Sequence, residues 1–184
     1  MFGPSVEQVR ALARKHRCSV VETYALPDGE RAYFLECRSH RDKVRLLDDL
    51  AAIDAFDPAL RRLAEQIAAG AASRLEQIER LHAFVRDHVV HTDEPIETFS
   101  PPMWVLQSRI GDCDDTARAL VALLRALGHT ARLATLGDPP SHVAAQVELG
   151  GGWYWLETTI AAHPGEHPLD AAARLGIATR PDLR

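Results

Sequence analysis

Cys113 lies among acidic residues where a glycine turn leads into a strongly helical segment, GDCDDTARALVALLRALG. A cysteine is nucleophilic as its thiolate, and the N–H groups at a helix N-terminus lower a thiol pKa and can hold an oxyanion. We therefore predict a nucleophile at Cys113, with Asp112 as the N-cap and Gly111 bringing the backbone close to a substrate. Asp114 and Asp115 are interpreted as first-turn acids that favour the helix, with a role in shaping the site as the alternative.

A cysteine nucleophile needs a base, and the base needs an orienting group. His142 begins the segment HVAAQVEL, and Glu157 lies within the next one, WYWLETTI. Three glycines between them predict a hairpin turn, and folding about residue 150 brings residue 142 within one position of Glu157. From the residues alone, two interpretations are equally open: a Cys113–His142–Glu157 triad, or three side chains with no shared role.

The aromatic residues beside Glu157 are a second candidate feature. Trp153, Trp155 and Glu157 share one face of the predicted strand. We expect one of the two tryptophans to line the active-site cleft, and Trp155 is the substrate-binding candidate. Packing in the core is the alternative role.

Composition narrows the function classes. The 184 residues carry a net charge of −5, without the basic stripe that nucleic-acid binding requires. No signal peptide or membrane-spanning run is recognisable, so we expect neither a nucleic-acid nor a membrane partner. Three cysteines are an odd and sparse set that indicates a reducing cytoplasm, with Cys18 and Cys37 as two reduced side chains near the ends of a hairpin.

No metal site is predicted. Metal-ligand spacings such as CxxC are absent. Six histidines outside the proposed triad are interpreted as exposed or loop residues, or as too poorly spaced to bind a metal: His82, His88, His91, His129, His163 and His167.

The main body is predicted to be two helices followed by an antiparallel meander of strands, which gives an α+β class. Helices are predicted over 5–16 (N-cap Ser5), 42–69 (interrupted near 57–58), 73–90 (capping box Ser73–Glu76), 112–127 (ending at Gly128) and 169–175; strands over 18–26, 31–38, 130–137, 142–149 and 153–160; and a long loop, with or without a short helix, over 91–111. Residues 1–70 form a helix–hairpin–helix region that we separate, as an appendage, from a core over 71–184.

The segments GDCDDTARALVALLRALGHTARL, HVAAQVE and GGWYWLETT together resemble the transglutaminase-like superfamily, relatives of papain-type cysteine proteases. The resemblance covers about 75–160, and the proline-containing segment before Cys113 is similar to the bacterial and phage branch. It implies a papain/transglutaminase-like core in which a helix N-terminus carrying the nucleophile packs on an antiparallel sheet. It further implies Cys113 as nucleophile, His142 as base and acid, and Glu157 as orienter, although the family more often has aspartate there.

The same resemblance suggests Gln107 or Trp104 as an oxyanion donor, with Asp112 also a candidate at the site. The rival roles are a solvated loop residue for Gln107 and a packed side chain for Trp104. The implied function is acyl transfer from peptide or glutamine-type amides through a thioester, without a cofactor, by a protease, deamidase or transglutaminase. The alternative is an inactive module of this fold that binds a protein partner.

Overall fold

The computed structural model describes residues 3–92, 98–137 and 140–179, and it confirms the α+β class. Its helices are α1 (Val6–Lys15), α2 (His40–Asp54), α3 (Pro58–Ile67), α4 (Arg74–His88), α5 (Pro102–Ser108), α6 (Cys113–Ala126) and α7 (Pro168–Arg174). Its strands are β1 (Cys18–Ala25), β2 (Arg31–Cys37), β3 (Val90–His91), β4 (Thr98–Phe99), β5 (Ile110–Gly111), β6 (Ala131–Gly137), β7 (Pro140–Leu149) and β8 (Gly152–Leu156). None of the helices in these ranges is long and apolar enough to cross a bilayer.

Helix starts follow the predicted caps with one difference. Ser5 and Gln8 form a reciprocal capping box at α1. At α4, Ser73 accepts from the Glu76 N–H, but the Glu76 carboxylate accepts from the N–H of Ala72 at 2.7 Å. The expected reciprocal box at α4 is therefore wrong in its second half, because Glu76 reaches one residue further back along the chain.

The sheet that positions the site is the antiparallel order β6–β7–β8. Ala145 on β7 lies opposite Leu156, the last residue of β8. The predicted strand over 153–160 is thus too long, and Glu157 follows the strand instead of lying within it. The predicted loop over 91–111 contains α5 and short strands, and part of it (93–97) lies outside the described residues.

Helix α6 is the centre of the core. All but two of its fourteen residues are buried, and it packs against α2, α3, α4, α5 and β7. Hydrophobic side chains from α2 and α3 belong to the same core cluster as those of α6 and β7. The proposed division at residue 70 stays a prediction.

Cys18 and Cys37 form a disulfide, with Cα atoms 4.1 Å apart, so the expectation that they are reduced is wrong. The two residues are directly opposite partners of β1 and β2, where side chains point to the same face. Disulfides persist in oxidising compartments. The argument for a cytoplasmic location from cysteine usage therefore loses its basis.

Two histidines predicted on the surface are buried. His82 is 0 % exposed, since it lies on the α4 face that also buries Ile78 and Val85. His129 is buried after the turn at Gly128, whose φ of +79° ends α6 as predicted. The His129 Nδ1 atom lies 3.1 Å from the Arg74 guanidinium.

Candidate active site

Cys113 is the first residue of α6, as predicted, and Asp112 is its N-cap. One Asp112 carboxylate oxygen accepts from the N–H of Asp114 at 2.9 Å and from that of Asp115 at 3.0 Å. Gly111 does not have a left-handed backbone. An added Cβ at this position would lie 3.1 Å from the side chains of Asp115 and Val105, so a larger residue would crowd both neighbours.

The Cys113 thiol is half-buried between the start of α6 and the start of β7. It donates to Asp114 Oδ1 at 3.8 Å, and the Val143 N–H donates to the sulfur. Burial raises the pKa of this thiol strongly, the carboxylates of Asp114 and Asp112 raise it further, and the Val143 N–H and Lys43 only partly oppose them.

The expectation that the helix N-terminus lowers the Cys113 pKa is therefore wrong. The N–H groups of Asp114 and Asp115 are bonded to the Asp112 carboxylate and are not available to the sulfur. The thiol is protonated in this conformation at neutral pH.

Asp114 and Asp115 do more than favour the helix, because both are buried. Asp114 forms an ion pair of 2.6 Å with Lys43 of α2. Asp115 accepts from the Ser100 N–H at 3.1 Å. The first turn of α6 is thereby fixed to α2 on one side and to the chain before α5 on the other.

His142 and Glu157 lie side by side, as the predicted hairpin requires. The His142 Nε2 atom donates to Glu157 Oε2 at 2.7 Å. Glu157 is only 1 % exposed, whereas His142 is partly open to solvent. The pair lies beside Val143, whose N–H meets the Cys113 sulfur.

Glu157 is held as a carboxylate by its hydrogen bonds. Burial by itself would raise the pKa of Glu157, but the bonds from His142 and Thr159 outweigh it and lower the pKa below its ordinary value. The Thr159 N–H and hydroxyl donate to Oε1 at 2.7 and 2.8 Å. Both carboxylate oxygens are thus engaged, and the side chain has one orientation.

The backbone around Glu157 is fixed by two contacts that the sequence analysis missed. His82 Nε2 donates to the Glu157 carbonyl at 2.6 Å, and burial lowers the pKa of His82, so this imidazole is neutral. The Thr158 hydroxyl donates to Thr116 Oγ1 at 3.0 Å, which joins the chain after β8 to the first turns of α6. The helical spacing of His82 from Ile78 was the signal that it faces the core.

The remaining candidates differ in their exposure and contacts. Gln107 is exposed and Trp104 half-buried, both on α5. Trp155 packs edge-on against His167, with ring centroids 5.3 Å apart. Trp153 is exposed, and the Arg132 guanidinium lies 3.9 Å from its ring centroid. Within 3–92, 98–137 and 140–179, no three His, Cys, Asp or Glu side chains cluster as metal ligands would.

Two solved structures have a similar fold at low sequence identity. A candidate cysteine protease from Cytophaga hutchinsonii is 21 % identical, with a TM-score of 0.52, over 66 % of this chain and 45 % of its own. A candidate protease from Parabacteroides distasonis is 14 % identical, with a TM-score of 0.56, over 78 % of this chain and 31 % of its own. The chain thus spans less than half the length of these two proteins, and the likeness shows the fold.

No curated protein matches the sequence. The transglutaminase-like superfamily model matches residues 61–158, which contain Cys113, His142 and Glu157. The chain therefore belongs to the transglutaminase-like superfamily, as its sequence motifs indicated.

Proposed function

We propose that this protein is a cysteine-dependent acyl-transfer enzyme that acts on peptide or glutamine-type amides. Cys113 is the nucleophile, His142 the general base and acid, and Glu157 the group that orients His142. The observation that carries the proposal is the 2.7 Å bond from His142 Nε2 to a buried carboxylate, beside the backbone N–H that meets the Cys113 sulfur.

The hydrogen bond to Glu157 decides which ring atom of His142 acts. An ionised carboxylate only accepts, so Nε2 carries the proton and Nδ1 has the free lone pair. Nδ1 is therefore the atom that takes the thiol proton. Because the Cys113 pKa is raised, proton transfer accompanies the attack on the substrate and does not precede it.

The reaction follows from these positions. As the Cys113 sulfur bonds to the amide carbon, the thiol proton moves to His142 and the carbonyl oxygen becomes an oxyanion. When the C–N bond breaks, His142 returns the proton to the leaving amine or ammonia, and a thioester remains. Water or an amine then attacks the thioester with His142 as base, which regenerates the thiol.

The oxyanion requires donors near Cys113. Asp112 engages the N–H groups of Asp114 and Asp115, so we assign the backbone role to the Cys113 N–H. Gln107 and Trp104 on α5 are the candidate side-chain donors.

Three measurements on one preparation test the proposal. Peptide cleavage by mass spectrometry, ammonia release from a glutamine peptide, and biotin–cadaverine incorporation into dimethylcasein separate the protease, deamidase and transglutaminase outcomes. We expect Cys113→Ala and His142→Ala to abolish whichever activity the wild type has. The exposed His163 supplies the matched control, His163→Ala, which should keep it. Full activity in folded His142→Ala would refute the proposal.

A binding module without catalysis is the second candidate. It is favoured by the burial of the thiol and its raised pKa, which a preformed thiolate would not show. Two results together would support the binding module instead: no activity of the wild type in any of the three assays, and no alkylation of Cys113 unless the chain is unfolded.

A further inference from the structure

An open groove of about 550 Å³ lies at the end of the β1–β2 hairpin that is remote from its turn. The Cys18–Cys37 disulfide lines this groove. Three arginines line it as well: Arg14 from the last turn of α1, Arg17 from the connection to β1, and Arg38 directly after β2. The Arg38 N–H donates to the Arg17 carbonyl at 3.3 Å, which holds these two segments side by side. The groove therefore places a bond that thiols can cleave beside three guanidinium groups.

The groove is cationic on a chain that is acidic overall. Within the ranges that the structure describes, Arg14, Arg17 and Arg38 are exposed and form no ion pair with a carboxylate. Glu36 adds one carboxylate to the wall, so the groove has an excess of two positive charges, whereas the whole chain carries −5. Like charges held close together repel one another, and an anion between them relieves this repulsion. Because guanidinium groups bind acidic groups through paired, charge-assisted hydrogen bonds, the groove suits a ligand that carries an acidic group.

The disulfide in this groove is accessible through one of its two residues. Cys18 is buried, whereas Cys37 is partly exposed. Disulfides are cleaved by attack of a thiolate on one sulfur, and nearby positive charges favour both the attacking thiolate and the one that leaves. A thiol with an acidic group would be bound by the arginines while its sulfur reacts at Cys37.

We propose that the Cys18–Cys37 disulfide is a thiol–disulfide exchange site, reduced selectively by small thiols whose acidic group binds to the three arginines of the groove. The charge of the groove defines the class of reductant, and the disulfide defines the reaction. This site goes beyond acyl transfer, and it holds or fails independently of the role of Cys113.

The exchange takes two steps. In the first, the thiolate sulfur of the reductant bonds to the Cys37 sulfur, the disulfide bond breaks, and the Cys18 sulfur leaves with the electron pair and takes a proton from solvent. The His16 carbonyl oxygen, 3.5 Å from the Cys18 sulfur, can accept a hydrogen bond from the new thiol. In the second, another reductant thiolate attacks the reductant sulfur of the mixed disulfide and releases Cys37, which is protonated. Two reductant thiols are thus oxidised to one disulfide, and the protein disulfide is reduced to two thiols.

Three two-carbon thiols test the charge selectivity on the oxidised, folded protein. The reagents are 2-mercaptoethanesulfonate, which carries an anionic group, 2-mercaptoethanol, which is neutral, and cysteamine, which carries an ammonium group. Quenching with iodoacetamide and peptide mass spectrometry give the rate at which the Cys18–Cys37 disulfide is lost. Each rate is divided by the thiolate fraction of its reagent, so the comparison reports only on the second charged group.

The expected order of rates is sulfonate, then mercaptoethanol, then cysteamine. At low ionic strength we expect about tenfold between successive reagents, because each differs by one unit charge at roughly 6 Å from an excess of two positive charges in water. The net charge of −5 on the whole chain favours the opposite order, so this order would come from the groove. Salt at about 1 M should remove most of the difference, since the Debye length is then only about 3 Å.

Two arginines with positive φ provide a matched pair of variants. Arg17 has a φ of +57°, and Arg109, the exposed C-cap residue of α5, has a φ of +60°. Glycine adopts this conformation freely, so Arg17→Gly and Arg109→Gly each remove one guanidinium without straining the backbone. Arg17→Gly should reduce the sulfonate advantage from about tenfold to about threefold. Arg109→Gly removes a residue outside the groove lining and should leave the advantage unchanged. Arg38→Gln should have an effect of the same size as Arg17→Gly.

Three results would overturn the proposal. The first is equal corrected rates for the three reagents, and the second is a sulfonate advantage that both Arg17→Gly and Arg38→Gln leave intact. The third is a Cys18–Cys37 disulfide that none of the reagents reduces in the folded protein. None of these results bears on Cys113, whose role in acyl transfer is decided by the activity assays.

Discussion

Replacing Glu157 by glutamine keeps its size and changes the proton pattern around His142. Oε1 accepts two bonds from Thr159, whereas Oε2 accepts one from His142. The single amide oxygen of glutamine is therefore retained on the Thr159 side, and its NH₂ group faces His142. His142 then accepts at Nε2 and carries its proton on Nδ1, the atom that must receive the thiol proton.

Two effects set the size of the loss. A carboxylate about 4 Å from an imidazolium stabilises it by roughly 4 kcal/mol at an effective dielectric constant of about 20, which is on the order of a thousandfold in rate. The wrong tautomer adds to this, and losses of about 10⁴-fold follow when a triad carboxylate becomes an amide. We expect Glu157→Gln to lower kcat/KM by about 10³- to 10⁴-fold.

The assay is the rate of Cys113 alkylation by iodoacetamide, followed by peptide mass spectrometry, together with kcat/KM on any substrate found. Glu148→Gln is the matched control, because Glu148 is exposed on β7. Adding Thr159→Val to Glu157→Gln removes one of the two bonds that fix the amide, so it should restore part of the rate. A folded Glu157→Gln protein within about fivefold of wild type, where roughly 10³-fold is expected, would refute this account of Glu157.

Three further predictions follow from buried groups. Burial lowers the His82 pKa below its ordinary value of 6.5, so the unfolded chain binds more protons and the free energy of unfolding rises with pH in the window below 6.5. His82→Phe should flatten this slope in urea titrations at several pH values, and an unchanged slope would contradict the prediction. Cys37→Ser should lower the free energy of unfolding by about 3 kcal/mol, as expected for a disulfide that joins residues 19 positions apart. Ellman titration of the wild type, denatured without a reducing agent, should count one thiol and not three. Asp114→Asn should lower the pKa of Cys113 in its alkylation profile, whereas Asp115→Asn, in the same turn but with its carboxylate on the Ser100 N–H, should not. Equal profiles would show that Asp114 does not raise that pKa.

Much of the fold could be predicted because local signals agreed with the tertiary structure. Ser5 and Asp112 mark helix starts that the structure retains. The glycine turn at 150–152 correctly paired β7 with β8 and brought His142 to Glu157. These features depend on residues close in sequence or on one short turn.

The errors about buried groups concern contacts between distant segments. His82 meets Glu157 across 75 positions, and nothing in the α4 sequence alone names that partner. The pairing of Cys18 with Cys37 depends on the register of β1 and β2, which the hairpin pattern left open by a residue or more. Burial of the Cys113 thiol depends on β7 packing over the start of α6, which composition does not reveal.

The acidic first turn of α6 explains how placement and reactivity of the thiol are related. Asp112 caps the helix, Asp114 pairs with Lys43, and Asp115 accepts from the Ser100 backbone. Asp114 and Asp115 fix the turn to neighbouring segments, and the charges of Asp114 and Asp112 disfavour a thiolate at Cys113. A site built in this way places its sulfur accurately but leaves it protonated, so its reactivity must come from a base. His142 precedes Val143, whose N–H meets the sulfur, and a buried carboxylate engages the Nε2 atom of His142. The raised thiol pKa therefore makes the His142–Glu157 pair more necessary to the proposed chemistry.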